Sequence, residues 1–314
     1  MRKHAKRVLV GTVGFLLLSC LAARNAAEEM PPQVEAAPQW VTPVIRAPRL
    51  EHHTFDSAAA KAKVSYHLYT PELYDTEKER RFPVLYWLHG TGGGLGGVPY
   101  LVTHFDTAIR AGKTPPMLVV FANGLTSSMW CDSKDGSVPM ETVVVKELVP
   151  HIDATFRTIA SREGRLIEGF SMGGYGAARL GFTYPDEFGA ISILAGGPLD
   201  VQFKGPRATA NPEERERILN TVYGGDMEYF KGQSPWVLAE RAARAVRGKT
   251  RIRQVVGDRD STLPLNRDFD AHLTKLEIPH SFTVLPKVSH DTMAVFDALG
   301  EQHWEFYRAL FGAK

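Results

Sequence analysis

One serine stands in a spacing that suits a nucleophile. Ser171 lies in Gly169-Phe-Ser-Met-Gly173, after the apolar pair Leu166-Ile167 and before a predicted helix that starts at Tyr175. Gly-x-Ser-x-Gly between a strand and a helix is the nucleophile-elbow pattern, in which a sharp, strained turn exposes the serine hydroxyl. A side chain two positions away on either side would collide with neighbouring backbone, and glycine has no Cβ to collide. The pattern predicts acyl chemistry at Ser171, provided that other segments supply a base, a carboxylate and an oxyanion site.

A histidine and an aspartate follow the serine in the order that this chemistry needs. A serine hydroxyl is a poor nucleophile, so an imidazole must accept its proton and a carboxylate must hold the imidazole in the correct tautomer. In nucleophile-elbow folds the chain order is Ser, then Asp or Glu, then His. Asp260 and His290 fit this order, each in a loop after a predicted late strand. Asp258 is the alternative acid, although its other interpretation is a turn residue. Glu168 and the helical Asp268 and Asp270 are less favoured candidates.

A glycine-rich loop upstream is suited to supplying oxyanion donors. The loop is His89-Gly-Thr-Gly-Gly93, directly after a predicted apolar strand. One donor is normally the amide after the nucleophile, here Met172, and the other comes from the loop after an earlier strand. We assign the second amide to Thr91, with Gly92 as the alternative, and predict that His89 orients the loop. Neither Gly-Lys-Ser/Thr nor a dinucleotide fingerprint is present, which disfavours phosphate binding.

The elements around these residues predict an α/β fold. Strand-like segments lie at 64–69, 83–88, 117–122, 190–194, 252–256 and 281–285. Several are uninterrupted apolar runs, as expected for strands buried on both faces of a mainly parallel sheet. They alternate with predicted helices, the last of which is a single closing helix at 291–311, and this alternation indicates parallel strands joined by crossovers. The proposed serine, acid and base all fall at the carboxyl ends of strands, where such folds place their sites.

Four of these segments together resemble one enzyme family. They are His-Gly-Thr-Gly-Gly at 89–93, Gly-Phe-Ser-Met-Gly-Gly at 169–174, Gly-Asp-Arg-Asp at 257–260 and Ser-His-Asp at 289–291. They look like the esterase family related to esterase D, which groups feruloyl and acetyl-xylan esterases, S-formylglutathione hydrolases, enterochelin esterases and mycolyltransferases. The resemblance covers about residues 60–312, and the Ser-Met-Gly-Gly elbow is its most specific part.

The resemblance implies an α/β-hydrolase fold, with a mainly parallel central sheet flanked by helices. It also implies a triad of Ser171, Asp260 and His290. The amides of Thr91 and Met172 are the implied oxyanion donors. It does not carry a substrate, because the branches of this family share their machinery and differ in their loops.

The loop after the 117–122 strand contains further candidates. Trp130 has two interpretations: it stacks on a sugar or an aromatic acyl group, or it packs within the protein. Asp132 and Ser133 are predicted to fix this loop, and Cys131 to be a small packed residue and not a reactive thiol. Because no His, Cys and Asp cluster has metal-ligand spacing, we expect no metal and no cofactor.

The first stretch indicates export. Residues 1–7 are basic, and Val8 to Leu18 form an apolar run of signal-peptide length that is too short to span a bilayer comfortably. Leu17-Leu-Ser-Cys20 resembles a bacterial lipobox, which predicts lipid on Cys20. The alternative is ordinary cleavage within Ala22-Ala23 or Ala26-Ala27.

These features divide the chain into three parts. Residues 1–23 are a predicted signal peptide, and residues 24–50 are an Ala/Pro-rich tether. Residues 51–314 are a predicted catalytic domain with an insertion at about 197–233. The expected location is periplasmic, secreted or membrane-anchored as a lipoprotein.

Composition adds no further partner. The chain has 314 residues, 44% of them hydrophobic, which suits one sizeable core. Four of its 37 basic residues lie among the first nineteen, leaving 33 against 35 acidic residues, so no basic patch indicates nucleic acid. We predict a secreted or lipid-anchored serine carboxylesterase acting on a small-molecule or polysaccharide ester, such as feruloyl or acetyl esters of plant cell walls. The alternatives are an acyltransferase or a peptidase on the same triad, and a non-catalytic carbohydrate-binding protein that keeps the fold.

Overall fold

An eight-stranded sheet is the centre of the fold. The computed structural model describes residues 37–197 and 212–312, and within them the strand order is β1-β2-β4-β3-β5-β6-β7-β8. The strands are β1 (Leu50–Ser57), β2 (Ala62–Tyr69), β3 (Val84–Leu88), β4 (Leu118–Ala122), β5 (Arg165–Phe170), β6 (Ala190–Leu194), β7 (Arg251–Gly257) and β8 (Ser281–Leu285). β3 to β8 are parallel to one another, whereas β2 is antiparallel to both of its neighbours. The predicted mainly parallel sheet is confirmed.

Both faces of this sheet are buried, which explains the apolar runs in the sequence. On β3, Val84 and Tyr86 belong to one hydrophobic cluster, while Leu85 and Trp87 belong to the cluster on the opposite face. Successive side chains of a strand point to opposite faces. A strand covered on both sides has no position at which a polar side chain is solvated, and on β3 every residue is hydrophobic.

Helices cover the two faces of the sheet. In the described part of the chain they are α1 (Leu73–Thr76), α2 (Val98–Arg110), α3 (Val149–Thr155), α4 (Met172–Thr183), α5 (Pro212–Tyr223), α6 (Met227–Gln233), α7 (Pro235–Val246), α8 (Leu263–Lys275), α9 (Thr292–Leu299) and α10 (Glu301–Phe311). α2, α9 and α10 pack on one face, and α3, α4, α7 and α8 pack on the other. A π-helical segment, Thr142–Leu148, leads into α3. Pro150 lies within this continuous helical run, where it has no N–H to donate to the preceding turn.

The prediction of one closing helix at 291–311 is wrong. α9 and α10 are separated by Gly300, which has φ 52° and ψ −124°. This conformation is far more accessible to glycine than to residues with a Cβ. The break lets the two helices pack separately, and the rings of Phe296 on α9 and Trp304 on α10 both contact the His104 ring of α2.

The amino-terminal region differs from the prediction of a tether at 24–50. Residues 38–49 lie against the sheet: Trp40 is buried, its carbonyl accepts hydrogen bonds from the Ser65 amide and the Asn123 side chain, and the Ile45 amide donates to His67 Nε2 at 3.0 Å. The tether prediction is therefore wrong over 38–49, whose lack of periodicity gave no sign of the hydrogen bonds that its backbone groups make. The predicted signal peptide at 1–23, with Cys20, lies outside the described residues. In the described ranges, no helix is long and apolar enough to cross a membrane.

The described part of the predicted insertion, residues 212–233, carries α5 and α6. Ile218, Val222 and Phe230 from these helices join the same hydrophobic cluster as α4 and α7. This part of the segment therefore shares the core of the main domain and is not a separate unit. The Asp226 side chain caps α6 by accepting hydrogen bonds from two of its first amides.

Candidate active site

Ser171 occupies a tight turn between β5 and α4. Its φ of 60° and ψ of −120° lie in a region that non-glycine residues rarely adopt. The neighbouring glycine is required by a close approach, because a Cβ on Gly173 would lie 1.8 Å from the carbonyl oxygen of Leu88. The Ser171 amide is held by the carbonyl of Leu194 on β6 at 3.0 Å. The turn thus fixes the serine at the carboxyl edge of the sheet.

His290 and Asp260 join Ser171 in a chain of hydrogen bonds. His290 Nε2 lies 2.8 Å from Ser171 Oγ, and its Nδ1 lies 2.7 Å from Asp260 Oδ2. An ionised carboxylate can only accept, so Nδ1 carries the ring proton and Nε2 is free to accept from the serine. The His290 side chain is 37% exposed, whereas the Asp260 side chain is fully buried. The chain therefore runs from a buried carboxylate to an accessible hydroxyl.

The surroundings of Asp260 favour its ionised form. Burial raises the pKa of this carboxyl, but hydrogen bonds from His290 and from Thr262 outweigh burial and leave the pKa below its ordinary value. The Thr262 amide and hydroxyl both donate to Oδ1 at 2.8 Å. Asp258, the alternative acid, is exposed and accepts a hydrogen bond from the Lys287 amide at 2.6 Å. Of these two carboxylates, Asp260 is the one that contacts His290.

The amides predicted for the oxyanion lie beside Ser171. Met172 is the first residue of α4, where helix amides have no intrahelical acceptor. Thr91 lines the same cavity as Ser171 and His290, and among the described residues its amide has no hydrogen-bond acceptor. The Gly92 amide, in contrast, donates to the carbonyl of Thr126 at 2.8 Å. This geometry favours Thr91 over Gly92 as the donor with a free amide.

His89 connects the loop at 89–93, the oxyanion loop, to the loop after β4. Its Nδ1 lies 2.7 Å from the Gly90 carbonyl oxygen, and its Nε2 lies 3.0 Å from the Gly124 amide nitrogen. A carbonyl can only accept and an amide N–H can only donate, so the proton is on Nδ1 and the ring is neutral. Burial lowers the pKa of His89 to about 4, which maintains this state at neutral pH. His89 is thus placed to orient backbone.

Trp130 is buried and bonds to the backbone of the oxyanion loop. Its side chain is fully buried, and its indole Nε1 donates to the carbonyl of His89 at 3.3 Å. A Cβ on Gly124 or on Gly176 would lie within 2.4 Å of the indole ring. Since the ring has no exposed face, the suggestion that Trp130 stacks on substrate is wrong and the packing alternative holds. The two glycines are the sequence signal for this packing, but they are close to Trp130 only in the folded chain.

The residues that follow Trp130 also serve the loop. The carboxylate of Asp132 accepts hydrogen bonds from the Thr142 amide and hydroxyl, and Ser133 bonds to Asp135. Burial raises the pKa of the Cys131 thiol to about 11, so little thiolate forms at neutral pH. Within the described residues, no group of three or more His, Cys, Asp or Glu side chains is arranged to hold a metal ion.

A buried ion pair lies behind the nucleophile and was not predicted. Glu168, on β5, lies 2.5 Å from Arg253 on β7 and accepts a hydrogen bond from the Tyr307 hydroxyl at 2.6 Å. Glu168 is fully buried. Its contacts link two central strands to α10, so it is positioned to hold the sheet and not to act as the triad acid.

A cavity of about 470 Å³ opens over Ser171. Its apolar walls include Trp87, Leu101 and Phe170, and its outer rim includes Tyr100 and Met293. A volume of this size is sufficient to enclose most of a drug-sized ligand.

Comparison with known proteins identifies the family. The family described as "Putative esterase" matches residues 57–314, which is most of the chain. The chain belongs to this esterase family. The predicted family and the predicted enzyme class, an esterase, are thereby confirmed.

This esterase has relatives that are longer than itself. It is 33% identical over 174 residues to an endo-1,4-beta-xylanase/feruloyl esterase of Xylanibacter ruminicola, an alignment that covers 51% of this chain and 23% of the relative. It is also 33% identical over 156 residues to an esterase of Mycobacterium tuberculosis, covering 48% of this chain and 32% of the relative. The matches thus span less than a third of either relative.

Solved structures share the fold of this esterase. A ferulic acid esterase aligns with a TM-score of 0.68 at 23% identity, covering 83% of this chain and 98% of that one. An S-formylglutathione hydrolase from Agrobacterium tumefaciens aligns with a TM-score of 0.66 at 19% identity, covering 84% and 95%. At these identities the likeness concerns the fold, and it confirms the predicted α/β-hydrolase architecture.

Proposed function

We propose that this protein is a serine carboxylesterase that forms an acyl-enzyme on Ser171. The observation that carries the proposal is the hydrogen-bonded chain Ser171–His290–Asp260 at the floor of an open cavity. A free serine hydroxyl is a weak nucleophile, and this arrangement supplies the base and the orienting carboxylate that activate it. The backbone amides of Thr91 and Met172 supply hydrogen-bond donors for the negative charge that develops on the carbonyl oxygen of the ester.

The reaction follows from these positions in two halves. His290 Nε2 accepts the Ser171 proton while Oγ attacks the ester carbonyl, and the two amides stabilise the tetrahedral anion. The anion collapses when the same nitrogen returns the proton to the departing alcohol oxygen, which leaves the acyl group on Ser171. Water then repeats the sequence, with His290 as base, and releases the acid. Asp260 stays ionised and stabilises the imidazolium that forms in each half.

We further propose feruloyl or acetyl esters of plant cell-wall polysaccharide as substrates. Two observations support an aromatic acyl group: relatives and fold neighbours carry the names feruloyl or ferulic acid esterase, and Trp87 and Phe170 give the cavity aromatic walls. Such substrates are extracellular, which agrees with the basic and apolar leader at residues 1–18. We propose that the protein is exported and that Cys20 carries lipid, for which the mass of the amino-terminal peptide is the test.

The enzymatic proposal is tested with two assays on purified protein. The wild type is expected to hydrolyse a short p-nitrophenyl ester and to react covalently with a fluorophosphonate probe. Ser171→Ala is expected to abolish labelling and to reduce turnover on the order of 10⁴- to 10⁶-fold, because the nucleophile is lost while the fold is kept. A Ser171→Ala protein that still turns over and labels normally would disprove the assignment. A panel of methyl esters that differ in the acid then defines the acyl preference, and the ratio of acyl transfer to hydrolysis separates an esterase from an acyltransferase.

A further inference from the structure

A second cavity adjoins the cavity over Ser171. It has a volume of about 410 Å³ and shares Tyr100 and Met293 with the cavity over Ser171. It lies between α2 on one side and α9 with the start of α10 on the other, and its lining includes Lys113, Asp297 and Trp304. The two cavities therefore adjoin at Tyr100 and Met293. We call the second cavity the α2–α9 groove.

The first cavity by itself has room for an acyl group. Its 470 Å³ lies within the range of about 300–1,000 Å³ that encloses drug-sized ligands. The walls next to Ser171 are apolar, formed by Trp87, Leu101 and Phe170. An acyl group bonded to Oγ fits this chamber, so the α2–α9 groove is available to another part of the substrate.

The reaction geometry indicates which part that is. The departing alcohol oxygen must receive a proton from His290 Nε2, so the alcohol begins beside His290. The residues that follow His290 start α9, and Thr292 and Met293 at its beginning line the first cavity. The groove then follows α9 through Phe296 and Asp297 to Gly300. An alcohol that leaves the reaction centre on the histidine side is thus directed along this groove.

The groove walls have the chemistry of a carbohydrate site. Tyr100 is 67% exposed, so its ring is available to stack on the apolar face of a sugar, and a ring held on two torsions loses little entropy on binding. Asp297 and Lys113 are exposed, and among the described residues their side chains have no hydrogen-bond or ion-pair partner. Charged groups without partners suit hydroxyls, which both donate and accept, and oppose a long alkyl chain.

We propose that the α2–α9 groove binds the sugar chain of the alcohol, with Tyr100 as its stacking platform and Asp297 as a hydroxyl-binding group. This inference rests on the proposed esterase function and adds the part of the substrate that lies beyond the scissile bond. It makes α2 and α9 determinants of alcohol specificity, whereas the chamber over Ser171 determines acyl specificity.

The test compares two esters of one acid, ferulic acid, with methanol and with an arabinoxylo-oligosaccharide as the alcohols. For each variant the measured quantity is the ratio of kcat/KM on the saccharide ester to kcat/KM on the methyl ester. Tyr100→Ala is expected to lower this ratio by about tenfold, and Tyr100→Phe, which keeps the ring, to restore most of it. Asp297→Ala, which lies in the groove but not in the first cavity, is expected to lower the ratio by about fivefold. Ile159→Ala is the matched control, because Ile159 is also exposed but lies near the amino-terminal edge of the strands.

The outcomes separate this inference from the esterase proposal. A wild type that hydrolyses neither of these esters nor a short p-nitrophenyl ester overturns both. A wild type that hydrolyses only the p-nitrophenyl ester overturns the groove inference and leaves the esterase proposal standing. A wild type that hydrolyses both esters, with a ratio that Tyr100→Ala and Asp297→Ala leave unchanged, overturns the groove alone. A third outcome also overturns it: Tyr100→Ala lowers both rates equally and changes the preference among methyl esters of different acids, which would place the acyl group against Tyr100.

Discussion

The two loops that face Ser171 each carry a histidine, and the two rings differ in almost every physical respect. His290 is 37% exposed and bonds to a carboxylate and a hydroxyl. His89 is buried and bonds to two backbone groups, a carbonyl and an amide. The partners of His290 allow its Nε2 to gain and lose a proton, whereas protonation of His89 Nε2 would set an N–H against the N–H of Gly124. Both loops carry a histidine. Burial and hydrogen-bond partners make His290 a base and make His89 a residue that orients backbone.

The largest expected effect comes from removing the carboxylate that distinguishes the partners of His290 from those of His89. Asp260→Asn replaces a carboxylate with an amide whose NH₂ can donate to Nδ1, which would stabilise the tautomer with the proton on Nε2. That tautomer cannot accept the Ser171 proton, so kcat is expected to fall on the order of 10⁴-fold. Steady-state kinetics on a p-nitrophenyl ester measures the loss.

Asp258→Asn is the matched control for this substitution, because Asp258 shares the loop but contacts the Lys287 amide instead of His290. It is expected to change kcat by less than about threefold, the effect of a weakened surface hydrogen bond. Equal losses in the two variants would contradict the assignment of Asp260 as the orienting acid.

A smaller effect is expected from weakening the contact between Trp130 and the oxyanion loop. Trp130→Phe removes the indole N–H that bonds to the His89 carbonyl and leaves a void against Gly124 and Gly176. We expect kcat to fall by roughly tenfold with KM nearly unchanged, because the oxyanion amides act in the transition state. The void is expected to cost about 2 kcal/mol of unfolding free energy. A loss of stability with unaltered kcat would show that Trp130 supports the fold and does not position the loop.

The last effect concerns the pH dependence of stability and not catalysis. The pKa of His89 is lowered to about 4 in the folded protein, while an unfolded histidine titrates near its ordinary value of about 6.5. Between these values the unfolded chain binds a proton that the folded chain does not, so stability falls as the pH drops through this window. His89→Asn is expected to remove a part of this slope worth roughly 2–3 kcal/mol between pH 7 and pH 4.

Urea unfolding at a series of pH values measures that slope. Trp130→Phe is the matched control, since it loosens the same loop and keeps the imidazole, and its curve should run parallel to that of the wild type. A His89→Asn curve that is also parallel to the wild type would mean that the ring is not held neutral by the fold.

The sequence predicted best what chain order or local composition determines. Apolar runs predicted β3 and β4, whose residues are all hydrophobic and buried because both faces of the sheet are covered. The order of Ser171, Asp260 and His290 indicated which side chains meet. In the fold, Ser171 and Asp260 each lie within hydrogen-bond distance of His290. The choice between Asp260 and Asp258 needed the folded structure, because both belong to one turn and only the fold shows that Asp260 is buried against His290 while Asp258 is exposed.

Contacts between residues that are far apart in the sequence could not be predicted from local sequence patterns. The orientation of Trp130 depends on Gly124 and on Gly176, which is 46 positions away in the printed sequence, and no local rule connects them. β1 was missed because its polar residues suit an edge strand, whose outer side is solvated. Residues 38–49 looked like a linker because their hydrogen bonds come from backbone groups, which composition does not reveal.

The break at Gly300 separates the length of α9 from the anchoring of α10. α9 has eight residues, about 12 Å of helix, and α10 is anchored independently through Tyr307 and Glu168. One added turn before Gly300 would extend α9 by about 5.4 Å without shifting the triad, which precedes the helix, provided that the surrounding loops accommodate the added length. On the proposed sugar-binding role of the α2–α9 groove, a longer α9 would lengthen the groove, so we expect the length of α9 to set the preferred length of the sugar chain.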